Sequence, residues 1–415
     1  MYKDLEHVKE KQTGFSRRFY LLVASGALSR TGTTAFSISI IWITLAITDS
    51  AFLAGLADGL YTLPLIFSFY FGAIIDRKGR KKGLMTASSL MRAAALMLVL
   101  GSFLTHHHLL IILLIYSCVI ITGMMSDIQN SIRSAWTKSF LKEEQYQKGS
   151  SFYNGLASLA EGIGFAISGI LLYFGYMFAV ILLALISVSS VIPVVLIKEN
   201  AVTAQKPEKW SVKKDMMEGI GFIRKNRSFI QLMVIMIFAN FVIAMIGVGF
   251  TFTVEKILEI PAFFLSLIFV SLVVGIAAGS LPGSLIKGTL GAIVMPLLAL
   301  IGVFFLFLAY IDNVLILSAL VFFIGLSIGI INSVVETVIL RKIPASMMAR
   351  IMGALNTFAL SATFLSGTFA GAIIEFLSVR SLFLIIGSAT LFVAVMIIFM
   401  KDLSRERIEH TDTAT

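Results

Sequence analysis

The chain has 415 residues, of which 58% are hydrophobic and only 13% charged, with 33 Lys and Arg against 23 Asp and Glu for a net charge of +10. A soluble domain carries about a quarter charged residues, and the apolar residues here lie in long blocks rather than in alternating or 3.6-periodic stripes, so a soluble globular protein is excluded. Aromatic-interleaved basic patches are absent, which excludes a nucleic-acid partner, and the single Cys118 inside an apolar block excludes a disulfide framework.

A polar head, 1–18, has no short apolar core and no small-residue cleavage site, so the first long apolar segment is the expected insertion signal. Twelve segments then reach the roughly 20 residues needed to cross a hydrocarbon core. They are 19–47, 51–75, 83–104, 109–136, 149–174, 176–197, 229–253, 262–286, 289–310, 313–340, 351–376 and 380–400. The first six form an N-terminal half, 19–197, and the last six a C-terminal half, 229–400, followed by a polar tail, 401–415. Between the halves, 198–228 begins as a linker. It then places Met216, Met217, Ile220 and Ile223 at helical spacing, away from Lys213, Lys214 and Glu218, which predicts an amphipathic helix at the membrane surface.

An even count of spans puts both termini on one side. The polar stretches of that side carry 28 of the 33 Lys and Arg, which predicts cytoplasmic termini in a multi-pass protein of the cell membrane. The halves are also related to each other. A shift of 202 residues aligns Asn130 and Ser131 with Asn332 and Ser333, Asn154 with Asn356, Gly169 with Gly371 and Phe174 with Phe376, without gaps. The expected fold is therefore all-α and integral to the membrane, twelve helices arranged as two parallel six-helix repeats with a site at their interface near the midplane.

Between the second and third segments, 72–82 holds Gly72, Asp76, Arg77, Gly79, Arg80 and Lys81 in one short loop. Gly79 permits a backbone turn with positive φ, and the cations hold the loop on the cytoplasmic side with Asp76 as their one counter-charge. This glycine, acid and base spacing resembles the signature loop of major facilitator transporters, a resemblance that covers essentially the whole chain. The partner loop in the second half, Gly283 to Gly288, keeps its glycines and Lys287 and lacks the acid. Glu218, Gly219 and Phe222 in the linker, with Arg341, Lys342, Pro344, Ala349, Arg350 and Gly353, are similar to the macrolide-efflux and enterobactin-exporter-like branch. That resemblance implies a secondary exporter of drugs or siderophores driven by proton antiport. Two of the family's antiport features are missing: the fourth-segment arginine would fall near Val119, and Gly162, Gly164 and Gly169 stand without the accompanying proline. By the resemblance, the Asp76 loop would brace a cytoplasmic gate against the start of the eleventh helix, near Arg350.

Charges inside spanning helices cost roughly 3 kcal/mol near the centre and usually face a cavity or a partner. At about 1.5 Å per residue, Arg30 lies roughly 17 Å into the first segment and Glu161 about 18 Å into the fifth, at one level, which predicts an Arg30–Glu161 pair. The pair either exchanges a proton at Glu161 during transport or ties two helices together permanently. Asp58, in the outer part of the second segment, either faces the cavity or caps the outer end. Asn240 and Asn332 fall on helices that line the family's cavity. With Arg30, Glu161 and Asp58 they are the candidate proton and substrate pathway. Asp127 and Arg133, six residues apart near the inner end of the fourth segment, Glu336 near the inner end of the tenth, and Arg350 are secondary gate candidates. Arg92 either snorkels inward or pairs with an acid; Glu375, Arg380, Glu255, Lys256 and Glu259 are expected to snorkel at outer ends. Histidines 106–108 read as an exposed loop.

Nothing matches a P-loop, a zinc-protease helix or a nucleophile elbow, and no cofactor or metal is expected: Gly283 and Gly288 have P-loop spacing but are followed by Thr289 instead of lysine. The partners expected are a small molecule, protons and the lipid bilayer, with the chain acting as a monomer. Three functions fit: a proton-coupled exporter of small amphipathic compounds working by alternating access, an uptake symporter or uniporter on the same fold, and a non-transporting membrane sensor.

Overall fold

The computed structural model describes residues 14–64, 81–105, 107–141, 145–198, 212–283, 286, 288–343, 351, 355, 357–358 and 362–408. They are almost entirely helical. In the N-terminal half the helices are α1 (Arg17–Thr48), α2 (Ala51–Thr62), α3 (Lys81–Ser102), α4 (His108–Phe140), α5 (Tyr146–Tyr173), α6 (Tyr176–Ser189) and α7 (Val191–Leu196). The linker holds α8 (Val212–Lys225). The C-terminal half holds α9 (Arg227–Phe252), α10 (Phe263–Gly283), α11 (Leu290–Leu308), α12 (Val314–Lys342), α13 (Thr363–Phe376), α14 (Val379–Phe399) and the short α15 (Lys401–Ser404). Among the described residues ten helices, joined across short breaks, are long and apolar enough to span a membrane, and α13 is a shorter apolar helix. The second and eleventh expected spans are described only in part, as α2 and α13.

Local chemistry sets the ends. Ser16 caps α1 by accepting from the Phe19 amide, Ser50 caps α2 through the Leu53 amide, and Asn313 caps α12 through Leu315 and Ile316. The chain leaves α1 through Asp49, which adopts the left-handed conformation at φ 55°. Two expected boundaries shift. The sixth span breaks at Ser190, because Pro193 has no amide hydrogen and its ring opposes the carbonyl four residues earlier. The seventh runs past its expected end as a single π turn, Thr253–Ile257, which buries Thr253 and Val254. The linker forms the helix α8, seating Ile223 inside and setting Phe222 against Phe229.

Helices meet most closely where both surfaces lack side chains. On α2 and α13, a Cβ at Gly55 would strike the Gly367 carbonyl, one at Gly59 the Phe364 carbonyl, and one at Gly371 the Ala51 carbonyl. On α10 and α12, Gly275 and Gly279 face the Phe322 and Leu326 carbonyls, while Gly325 and Gly329 face those of Leu272 and Ile276. This is the small-residue packing that lets membrane helices associate without a hydrophobic drive between them. The α2–α13 contact joins the two halves. So do α5 and α10, where Phe165 stacks on Phe269 at 4.8 Å and the Ser266 hydroxyl sits at Gly169.

A two-stranded ribbon closes the terminal end of the C-terminal half, pairing Gly288 with Ile408 and Thr289 with Arg407. The sequence reading placed a plain loop there. Gly288 enters the ribbon at φ 146°, a conformation that side chains rarely adopt. Beside it, Glu406 receives both Lys342 and the Ser228 hydroxyl, and the Leu403 amide donates to Gln231.

Candidate functional site

The site is a cleft between the halves, and α1 records its shape. From the terminal end, Tyr20, Ala24, Leu28 and Arg30 are exposed. From Gly32 through Leu45 every residue is buried except the half-buried Ser37 and Trp42. The accessible surface therefore stops at Arg30, about halfway along the helix. Beyond that level, among the described residues, the halves are joined: α2 to α13 at the glycines, α5 to α10 from Gly162 and Val273 outward, and α1 to α9 at Ile41 and Gly247. At the far end, Glu375 Oε2 accepts from the backbone amides of Ala51 (2.8 Å) and Phe52 (3.3 Å) and from the Ser50 hydroxyl (3.2 Å), so α13 caps the start of α2. Lys256 pairs with Asp49 across the halves. Among the described residues, the two halves are therefore in contact on the far side.

At the closed end of the cleft, Arg30 Nε lies 3.9 Å from Glu161 Oε2, and the side chains remain 47% and 44% exposed. The pair predicted from depth alone is present, and it is loose. Its position follows from how α1 meets α5: the Thr31 hydroxyl donates to the Ala160 carbonyl at 2.9 Å, and Gly164 lets the Thr31 backbone approach. Arg30 is the fourteenth residue of α1, and Asn240 the fourteenth of α9. Asn240 donates to the Met236 carbonyl of its own helix at 2.8 Å and, among the described residues, not to a neighbouring helix.

The repeat is visible in the walls. On α4, Asn130 and Ser134 are exposed one turn apart; on α12, Asn332 and Glu336 are exposed one turn apart. These are the positions that the 202-residue shift superposes. The walls differ behind that polar rim. In the C-terminal half, Asn332 borders an apolar space of about 70 Å³ lined by Phe238, Val242, Ile301, Phe305 and Ile328. In the N-terminal half a buried polar network runs behind the cleft. Ser29 donates to Gln129 Oε1 (2.8 Å) and accepts from Arg92 (3.2 Å); Arg133 donates to the same Gln129 oxygen (2.8 Å) and to Asn130 Oδ1 (3.2 Å). Gln129 donates in turn to Ser89, which meets Ser190, and Ser25 donates to the Ser190 carbonyl. Arg92 is 1% exposed and Arg133 5%, and the Nε of each has no acceptor.

Other predicted residues fall as follows. Asp58 does not cap the outer end of α2; it is half-buried against Gly367 at the α2–α13 contact. Asp127 is 4% exposed on α4, and Glu336 is exposed on α12, one turn from Asn332. Lys81 opens α3 and is half-buried. Gly72, Asp76, Arg77, Gly79, Arg80 and Arg350 lie outside the described residues. Sequence reasoning left Arg92 undecided because its partner, Ser29, is neutral and remote in sequence. It assigned Glu375 to snorkelling, whereas Glu375 bridges two halves. The spacing of Ser50 from Ala51 and Phe52 as an N-cap was the available signal that an anion could sit there. Among the described residues no group of His, Cys, Asp and Glu is placed to hold a metal.

Helices long and apolar enough to span a membrane, packed in two halves, make this a multi-pass membrane protein. A family model described as Major Facilitator Superfamily matches residues 22–367, and the chain belongs to that family. No curated protein matches the sequence. Among solved structures, the nucleoside transporter NupG is similar at TM-score 0.73 and 11% identity, over 92% of this chain and 99% of that one. A POT family transporter in complex with 5-aminolevulinic acid is similar at TM-score 0.71 and 13% identity, over 93% and 96%. At these identities the likeness is one of fold.

Proposed function

We propose that this chain is a proton-coupled secondary transporter of small amphipathic compounds in the cell membrane, working by alternating access with both termini in the cytoplasm. The observation that carries it is the Arg30–Glu161 pair at the closed end of the cleft. Opposite charges that stay accessible near the midplane can exchange partners with a solute or a proton; a purely structural pair would be shut in. An apolar space inside the C-terminal half, bordered by Asn332, suits the hydrophobic part of such a solute.

Export is the direction supported by the linker and tenth-loop resemblance, with the cleft loading from the cytoplasm. Uptake by proton symport is the second reading, and one observation favours it: Ser29, next to Arg30, is hydrogen-bonded to Arg92 and, through Gln129, to Arg133, a cationic surrounding that suits an anion. The far-side contacts at Glu375 and Lys256 would part, and the 72–82 loop would brace the cytoplasmic side, when the cleft opens outward.

The test uses inside-out vesicles acidified by respiration, with a dye reporting the pH gradient, and a panel of lipophilic cations, macrolides and catechol chelators. Collapse of the gradient in wild type and not in Glu161→Gln supports proton-coupled export through Glu161. Equal responses in both remove Glu161 from the proton path. Transport that is intact in Asp76→Asn removes the loop from the gate.

A further inference from the structure

Resting on the reading of this chain as a transporter of small amphipathic compounds, we propose that the apolar space inside the C-terminal half is an end-group pocket. It takes a branched apolar group of about three carbons. Asn332, at its mouth, hydrogen-bonds a neutral amide that follows that group.

The first support is the space itself. It lies among α9, α11, α12 and α14 and is lined by the buried Leu298, Ile301 and Phe305. Its polar lining side chains are Asn332 and Thr390, and the buried Thr390 hydroxyl donates to the Ile386 carbonyl of its own helix at 2.7 Å. A cavity lined in this way stays dry, and one of about 150 Å³ takes benzene. At about 70 Å³ this one has room for about half as many carbons, an isopropyl group rather than a ring.

The second support is the internal repeat. The shift of 202 residues that superposes Asn130 on Asn332 also superposes Gln129 on Ile331 and Arg133 on Val335. Gln129 is the hub of the N-terminal network, accepting from Ser29 and Arg133 and donating to Ser89. Its counterpart Ile331 lines the cavity. The N-terminal half thus fills this position with hydrogen-bonded side chains, and the C-terminal half sets aliphatic ones there around a void. An apolar void forfeits dispersion contacts on its walls, and a ligand group restores them. The two asparagines differ in the same sense. Asn130 Oδ1 accepts from Arg133 at 3.2 Å, whereas the Asn332 side chain is exposed and makes no hydrogen bond among the described residues.

The third support is the mouth. Gly247 meets Ile41 of α1 across the halves, and the residue one turn earlier on α9 points the same way. That residue, Ile243, is 42% exposed and lines the cavity, with Ala239 a further turn on. Ala239 is the thirteenth residue of α9 and Arg30 the fourteenth of α1, so the mouth opens into the cleft at the level of Arg30. Glu336, exposed one turn from Asn332, repels an anion from this spot. The donor and acceptor of the Asn332 carboxamide together match a neutral amide.

Ligand-observed NMR on the purified protein in detergent tests this with three water-soluble amides. Acetamide, isobutyramide and pivalamide carry tips of one, three and four carbons. Each buried carbon contributes about fourfold in affinity, so isobutyramide should bind about fifteenfold more tightly than acetamide. Pivalamide overfills the space and should bind at least about fivefold more weakly than isobutyramide. Val242→Phe fills the cavity and should bring isobutyramide down to the level of acetamide. Ile328→Ala enlarges it and should place pivalamide above isobutyramide, a gain that misfolding does not mimic. Asn332→Ala should weaken all three alike, about threefold to tenfold. Affinity that keeps rising through pivalamide in wild type, the order of partition into micelles, overturns the proposal. So does undetectable binding of isobutyramide, or an order that neither Val242→Phe nor Ile328→Ala changes. The assay uses neither a pH gradient nor transport. Amides that bind in the expected order while the vesicle panel stays silent would remove the export reading and leave the pocket standing, and the converse would remove the pocket alone.

Discussion

The far-side closure hangs on few groups, and Glu375 is the one whose removal is easiest to follow. Its Oε2 accepts from Ala51, Phe52 and Ser50 at the first turn of α2, where unpaired amides and the helix dipole favour an anion. Hydrogen bonds to a charged group contribute about 1.5–3 kcal/mol when shielded. Glu375 is exposed, so screening reduces what its charge adds to about 1 kcal/mol. Glu375→Gln keeps the shape and removes the charge. It should shift the balance between far-side-closed and far-side-open molecules by about fivefold toward open. Spin labels at Leu104 and Tyr310, exposed beyond the far ends of α3 and α11, report the separation of the two halves in a Cys118→Ala background. The population at longer distance should rise by that factor in Glu375→Gln and by more in Glu375→Lys. Identical distance distributions in wild type and both variants would refute the idea that this contact holds the far side shut.

Other substitutions give sharper or weaker outcomes. Gly55→Val places a side chain against the Gly367 carbonyl, so α2 and α13 must separate; overpacking of this kind costs about 1–3 kcal/mol, and the same labels should show a large outward shift with little loss of expression. Ser29→Ala removes the hydroxyl that joins Arg92 to Gln129 and should lower detergent-solubilised stability by about 1–3 kcal/mol, read as a fall in Tm. Asp49→Asn breaks the Lys256 pair, but Asp49 is 80% exposed and asparagine tolerates its φ of 55°, so Tm should move by less than the equivalent of about 1 kcal/mol.

Sequence alone made the scaffold legible because lipid imposes one rule along the whole chain: every span must be long, apolar and helical. Arg30 and Glu161 were legible for a related reason. A charge is rare enough at midplane depth that two at one level suggest each other. Asn130 and Asn332 were legible through the internal repeat, which places both on exposed faces. Arg92 and Gln129 were not legible, since a buried network of serines and one amide has no spacing rule and depends on where four helices cross. Glu375 failed for another reason. Its partners are backbone amides of a distant helix start, and depth counting treats an acid at a helix end as solvated. The break at Ser190 was readable from Pro193, whereas the ribbon between Gly288 and Arg407 joins residues too far apart for any local pattern.

The ribbon bears on how such a molecule could move. It ties the chain between α10 and α11 to the segment after α15, while Glu406 gathers Lys342 from α12 and Ser228 from α9, and Gln231 holds the Leu403 amide. Four helices are thereby strapped at one end like staves under a hoop, and the half behaves as a stiff beam. With its fulcrum at the glycine contacts on the far side, a tilt of about 10° swings the strapped end through roughly 5 Å over the roughly 30 Å membrane core. A slack beam would spend that tilt in bending. Trimming the chain before Arg405 should thus blunt the stroke while leaving the hinge and the charges at its base intact.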